Sequence, residues 1–338
     1  MMDYRMFKEV AKDKVLDYLP PEMRNAEVLI ADVWKVNQVR EALRVVLPEQ
    51  KKVLPNFYLD KLYEEYRKNR DIEAVIVELA EAVVAVNSVS EDYYRELKLS
   101  DMKENVVMEL VNAEQNRELL KDVPYREFQD LAVIYRWIME QDRTGTAGIL
   151  VTNEVMEGAG LNGTELFNIA VENTKRIHPP TLSNISVGVL SKFLEESSDN
   201  LEPEKLDEIA AEMAETEPKE ELWMIGNPFR LNGAASMLFE ENLHGLAERM
   251  GTDLLILPVS VDEVFAISAE QTTVEKAADF VYEFNQTIPL EKRLSNKVYH
   301  YDRRLREISI AEGVPNRRLD GIVAEQAYSR DMDGRRQK

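Results

Sequence analysis

Leu254-Leu255-Ile256-Leu257-Pro258-Val259-Ser260-Val261-Asp262-Glu263-Val264-Phe265-Ala266-Ile267-Ser268 contains two apolar runs with a short polar joint between them. Runs of four or five large apolar residues bounded by Pro and acids predict buried strands, here 254–257 and 264–268. Residues 258–262 read as the turn that joins them. Upstream, 222–225 reads as a short strand and 226–233 as a loop. Residues 234–250 read as a helix, with Gly251 as its C-cap. Downstream, 273–285 is helical, and 298–302 with 307–310 form a hairpin. These strands and helices do not alternate in a strict strand–helix–strand rhythm, so the fold class is α+β rather than a doubly wound sheet.

The same reading extends toward the N-terminus. Residues 3–18 carry an apolar stripe of Phe7, Val10, Ala11, Val15 and Tyr18, and Pro20-Pro21 ends that helix. Strands are expected at 26–36, 39–47 and 53–59, with Asn37-Gln38 as the first break. Helices follow at 60–69 and 71–87. A middle region has strands at 106–112, 130–139 and 147–152, a helical stretch at 112–120, and a well-marked helix at 164–177. The chain is thus expected to divide into an N-terminal unit (1–90), a middle region (91–194), an acidic linker or insertion (195–221), a C-terminal region (222–312) and a loosely ordered tail (313–338).

Charge is distributed unevenly. The 338 residues carry a net charge of -21, and residues 195–221 alone hold 12 acids against 2 bases. The acidity argues against generic nucleic-acid binding and against anionic membranes. The absence of cysteine removes disulfides and thiol chemistry. No apolar stretch reaches the length of a membrane span or forms a signal peptide, so a cytoplasmic location is expected.

Several motifs invite chemistry. Gly158-Ala159-Gly160-Leu161-Asn162-Gly163 spells G-x-G-x-x-G, but residues 153–157 separate it from the preceding strand, and Asn162 with Glu165 reads as a capping box. Ser100-Asp101-Met102-Lys103 matches S-x-x-K without the companion elements. Asn232-Gly233 stands at an expected helix start, where Asn caps and Gly admits close approach. Ser260, Asp262 and Glu263 cluster at the tip of the 258–263 turn, and paired acids suit a hard cation. His300 and Asp302 lie two apart on one strand face. Asn232, Gly233, Ser260, Asp262, Glu263 and His300 are therefore the candidate polar cluster. No resident metal or cofactor is assigned, and no nucleophile motif accompanies the histidine.

Linked stretches carry a family resemblance: 110–116 (Leu-Val-Asn-Ala-Glu-Gln-Asn), 130–135, 149–153, Glu165-Leu166, 170–173, Asn232-Gly233-Ala234-Ala235, 253–264, and 294–302 (Leu-Ser-Asn-Lys-Val-Tyr-His-Tyr-Asp). Together they resemble a bacterial domain-of-unknown-function family, number 5688, across residues 3–312. The resemblance implies a bacterial protein of the kind frequent in gut anaerobes and their mobile elements, and brings no established activity or catalytic residue.

Three functions compete. A non-catalytic binding or adaptor protein, with a protein partner at 195–221, fits the lack of a catalytic signature. A metal-dependent hydrolase would use Asp262, Glu263 and His300. An acidic DNA mimic would need its charge spread over a rigid surface, whereas here it concentrates in one segment.

Overall fold

The computed structural model describes residues 2–47, 56–88, 99–141, 146–185, 222–315, 317 and 319. The acidic segment 195–221 and the tail beyond 319 lie outside the described residues. The chain divides into two compact units, Met1–Lys98 and Leu99–Lys338. The fold is α+β, with antiparallel sheets throughout.

In the first unit, α1 (Tyr4–Lys14) begins at Asp3, whose carboxylate accepts the Met6 N–H, and continues as a 3-10 turn to Tyr18. Its stripe buries Phe7, Ala11 and Val15. Strands β1 (Glu27–Lys35) and β2 (Gln38–Val46) form a hairpin whose turn is Val36-Asn37, with Asn37 at φ 57°. Asn tolerates that left-handed conformation better than most residues. The short β3 (Phe57–Tyr58) pairs with β2. Helices α2 (Leu59–Asn69) and α3 (Ile72–Ser88) complete the unit. Val75, Ile76, Leu79 and Val83 of α3 fill a core shared with Phe7, Val28, Leu43 and Val45.

Among the described residues, the second unit holds two sheets. One is β4 (Val106–Asn112), preceded by the short α4 (Leu99–Asn105), with β5 (Arg126–Phe128), β6 (Leu131–Gln141) and β7 (Thr146–Leu150). The long β6 pairs with β4 along one side, and with β5 and β7 at its two ends along the other. Then come α5 (Asn153–Gly158) and α6 (Gly163–Ile177). The G-x-G-x-x-G stretch is the junction between these helices, and the Asn162–Glu165 capping box is present. Ser100-Asp101-Met102-Lys103 lies in α4, and Met102 is buried.

The second sheet takes β8 (Thr181–Ile185), β9 (Leu222–Gly226), β10 (Leu254–Leu257), β11 (Val264–Ser268), β12 (Tyr299–Asp302) and β13 (Glu307–Ile310), in the order β13-β12-β10-β11-β9-β8. Helices α7 (Glu240–Met250) and α8 (Val274–Thr287) accompany it. Ala277, Ala278, Val281 and Phe284 of α8 pack with Leu255, Leu257 and Phe265. The Phe265 and Phe284 rings meet edge to face at 5.9 Å.

The structure departs from the sequence expectation in four places. Residues 112–120 form turns and a 3-10 turn (Leu119–Lys121) instead of a helix. The Asn112 side-chain oxygen takes the Gln115 N–H, and the Asn116 amide donates to the Asn112 carbonyl. Asn side chains that bond nearby backbone offer it an alternative to the helix. Residues 234–250 are a 3-10 segment, Gly233–Leu238, that breaks at Phe239 before α7. Its residues Gly233 to Met237 are all buried. Strand β5 was not expected. Nor was β8, which carries the middle region into the same sheet as the C-terminal one.

Replacing Asn162 by Ala removes the side-chain half of the capping box, which accepts the Thr164 and Glu165 N–H groups, and leaves the backbone N–H that donates to Glu165. It should cost about 1 kcal/mol, read as a lower urea midpoint with unchanged slope. An unaltered midpoint would show that the box does not hold α6.

Candidate functional site

Strand β4 is buried along its whole length, and Glu109 lies at its centre, 2% exposed. A carboxylate there needs donors inside the protein. Arg136 of β6 supplies two: Nε to Oε1 at 2.5 Å and Nη2 to Oε2 at 2.9 Å. Glu109 faces Ile134 across the ladder, so Arg136 is its diagonal neighbour on the same face. A third donor comes from far along the chain, as Asn232 Nδ2 reaches Oε1 at 2.5 Å.

Asn232 is therefore not an N-cap. It has φ 51° and ψ 29°, and its side chain makes no capping bond. Its N–H donates to Asp262 Oδ1 at 2.9 Å, and the Ala234 N–H donates to the Val261 carbonyl at 3.1 Å. Those two groups are consumed within the fold, and a bound anion gains nothing from them. Just upstream, the Asn227 side chain accepts the Phe229 N–H and donates to the Leu231 carbonyl, which fixes the turn. The second Asp262 oxygen takes Lys292 Nζ at 2.6 Å. Between Asn232 and Ala234, Gly233 packs against the 258–263 turn. A Cβ there would overlap the Asp262 carbonyl oxygen and lie 2.8 Å from the Asn227 nitrogen.

Ser260 folds the turn on itself. Its hydroxyl oxygen accepts the N–H groups of Asp262 and Glu263 and donates to Glu263 Oε1, each at 3.1 Å. Ser260 is 4% and Glu263 5% exposed, which leaves no approach for a substrate. Burial, then the adjacent Asp262 carboxylate, pushes the Glu263 carboxyl up to about 7, against the Ser260 hydrogen bond and the charges of Arg230 and Lys292. His178, at the end of α6, is also buried here. Burial lowers its pKa and Glu109 opposes the shift, while its ring lies 5.7 Å from that of Phe229.

Five of the six candidate residues, Asn232, Gly233, Ser260, Asp262 and Glu263, thus meet at one place. His300 does not join them. It sits on β12 opposite Leu255, and its Nε2 is 3.2 Å from Asp253 Oδ2, at the other end of β10. It is not oriented by Asp302 either, whose Oδ1 accepts the N–H groups of Arg304 and Leu305. Glu109, Arg136 and Lys292 escaped the sequence reading, and His178 was not among its candidate residues. For Glu109 and Arg136 a signal existed: each is a charge inside an apolar strand run. For Lys292 and His178 there was none.

Among the described residues, no three His, Asp or Glu side chains stand close enough to hold a metal ion. Among the described residues the turn therefore lacks the further carboxylates that a hard cation needs. A cleft of about 600 Å³ does open in this unit, lined by Arg117, Leu120, Tyr125 and Glu127 among others, but it includes none of the cluster.

Two measurements probe the cluster. Gly233→Ala should cost about 3 kcal/mol through overpacking, seen as a lower unfolding midpoint. For Glu263 the folded pKa is raised from an ordinary 4.5 to about 7. Its contribution is most favourable below the unfolded value and is lost as pH rises through the folded one. Wild type should lose about 3 kcal/mol between roughly pH 5 and pH 8 that Glu263→Gln does not lose. Parallel pH profiles would refute the buried carboxyl.

No curated protein and no solved structure matches the chain. A family model described as "Family of unknown function (DUF5688)" matches residues 4–303, most of the chain. The protein belongs to that family of unknown function.

Proposed function

We propose that this protein is a non-catalytic binding or adaptor protein, and that a basic surface of a partner protein engages its acidic segment, 195–221. The observation that carries this reading is how the polar cluster is used. The Glu109 carboxylate is bound by Arg136 and Asn232, that of Asp262 by the Asn232 N–H and Lys292, and Ser260 with Glu263 is closed to solvent. The densest group of polar side chains that the sequence offered for chemistry serves as a clamp between two sheets. What remains with a distinct physical character is the charge of 195–221, 12 acids and 2 bases in 27 residues. A block of like charge steers an oppositely charged partner and sets its on-rate.

The hydrolase reading is weaker, since its Asp262 is committed to Asn232 and Lys292 and its His300 lies elsewhere. The DNA-mimic reading needs charge along a rigid surface, and nearly half of the net charge falls in one segment. An association with mobile elements rests on the family resemblance alone.

The test compares the full chain with a variant in which the acids of 195–221 are changed to Gln and Asn. The wild type should retain partners that the variant loses, and retention should fall as salt rises past about 0.1 M, where the screening length is about 10 Å. Identical partner lists, or none, would sink the proposal. Heat evolved on titrating magnesium, manganese or zinc, and lost in Asp262→Asn, would transfer the case to the hydrolase.

A further inference from the structure

The free edge of β1 carries a self-complementary pattern. Among the described residues β1 pairs only with β2, so its other side presents unpaired backbone over Glu27–Lys35. Such an edge is a template for another strand unless it is guarded. Two large apolar side chains stand on it in the open, Leu29 at 39% and Trp34 at 40% exposure. Glu27 and Lys35 at its two ends are exposed as well.

We propose that β1 pairs antiparallel with β1 of a second copy of this chain, centred on Ala31. The charge pattern selects both the partner and the register. In a two-fold antiparallel pair centred on Ala31, Glu27 of each copy lies opposite Lys35 of the other, so both ends of the ladder close on opposite charges. Leu29 then faces Val33, and Trp34 faces Val28, so each exposed apolar side chain gains an apolar neighbour across the strand. Directly opposed pairs are the unit of sheet stabilisation, and opposite charges or apolar neighbours across the strand favour pairing. Neighbouring two-fold registers lack this match. The Ala31-centred register leaves one unfavourable pair, Ile30 against Asp32, whereas centring on Asp32 opposes Asp32 to itself and Lys35 to Leu29, and centring on Ile30 sets Glu27 against Val33, so both lose the Glu27–Lys35 closure. The charges that guard the edge against a general strand are therefore compatible with one arrangement of its own sequence.

The test is the mass of the full chain in solution, measured by sedimentation across about 1–100 µM, with urea midpoints confirming that each variant folds. Wild type should show a monomer–dimer equilibrium. Glu27→Lys alone and Lys35→Glu alone each place like charges at both ends and should weaken the dimer about ten-fold, which is about 1.4 kcal/mol. The double variant restores opposite charges and should return to within about three-fold of wild type. Leu29→Lys, at an exposed position, should weaken the dimer without lowering the midpoint. A chain that stays monomeric throughout overturns the proposal. So does a dimer indifferent to these substitutions, which would use another surface, or a different protein lost on Leu29→Lys while the chain remains monomeric. Neutralising the acids of 195–221 should leave the dimer intact, which separates this surface from the proposed partner segment.

Discussion

Glu109 occupies the middle of a strand whose seven residues are all buried, and its carboxylate can be kept there only by donors that the fold brings to it. Arg136 comes from the adjacent strand and is delivered by the β4–β6 register. Asn232 comes from 123 residues along the chain and is delivered only when the second sheet is in place. A buried charge stripped of one partner is far more costly than the pair is beneficial. The contact therefore acts less as a source of stability than as a condition: one sheet cannot shift against the other without stranding a carboxylate.

The same condition shapes the backbone around Asn232. To reach Glu109 with its side chain and Asp262 with its N–H, the residue adopts left-handed dihedrals, as Arg230 also does two residues earlier. The chain then passes so close to the 258–263 turn that only Gly fits next. Small residues continue the approach, and the Ser236 hydroxyl donates to the Gly226 carbonyl at 2.7 Å. A second set of ties lies along the 294–299 stretch. Ser295 and Tyr299 donate to the two Asp130 oxygens, and Asn112 Nδ2 donates to the Leu294 carbonyl. Burial and the Asp130 charge hold the Tyr299 phenol protonated, so it remains a donor. Both ties join the part of the chain that carries the β4–β6 sheet to the part that carries the β8–β13 sheet.

Local pattern made most elements legible. The apolar runs of β4, β6, β10 and β11, the stripe of α8 and the Asn162 capping box follow from residues that are neighbours in sequence. What stayed hidden depends on distant partners. Asn232 before Gly-Ala-Ala reads as a cap, and nothing local reveals that Glu109 claims its amide. His300 and Asp302 share a strand face, yet Asp253 and the following turn take them separately. Strand β8, with its pattern of half-buried and exposed residues, has little apolar signal and is defined by β9 beside it. Of the site, the convergence of residues at 232–233 and 260–263 was suggested by their residue types. Their role as a closed clamp was not, because burial is a property of the assembled sheets.

The described edges also differ in a way that bears on association. At β13, the outermost strand of the six-stranded sheet, the Ile308 carbonyl accepts the Gln129 side-chain amide at 2.9 Å, and Gln129 takes a left-handed φ of 55° there. A side chain from the other sheet occupies a group that an added strand would need. β1 has charges at its two ends and one within it, and it keeps Leu29 and Trp34 in solvent. Charges repel a random strand but do not satisfy backbone groups, so their protection depends on what is opposite them. An edge blocked by a hydrogen bond is closed to every strand, whereas an edge guarded by a charge pattern remains open to the strand with the complementary pattern. On β1, the Glu27 and Lys35 charges at the two ends leave room for the proposed pairing with a second copy.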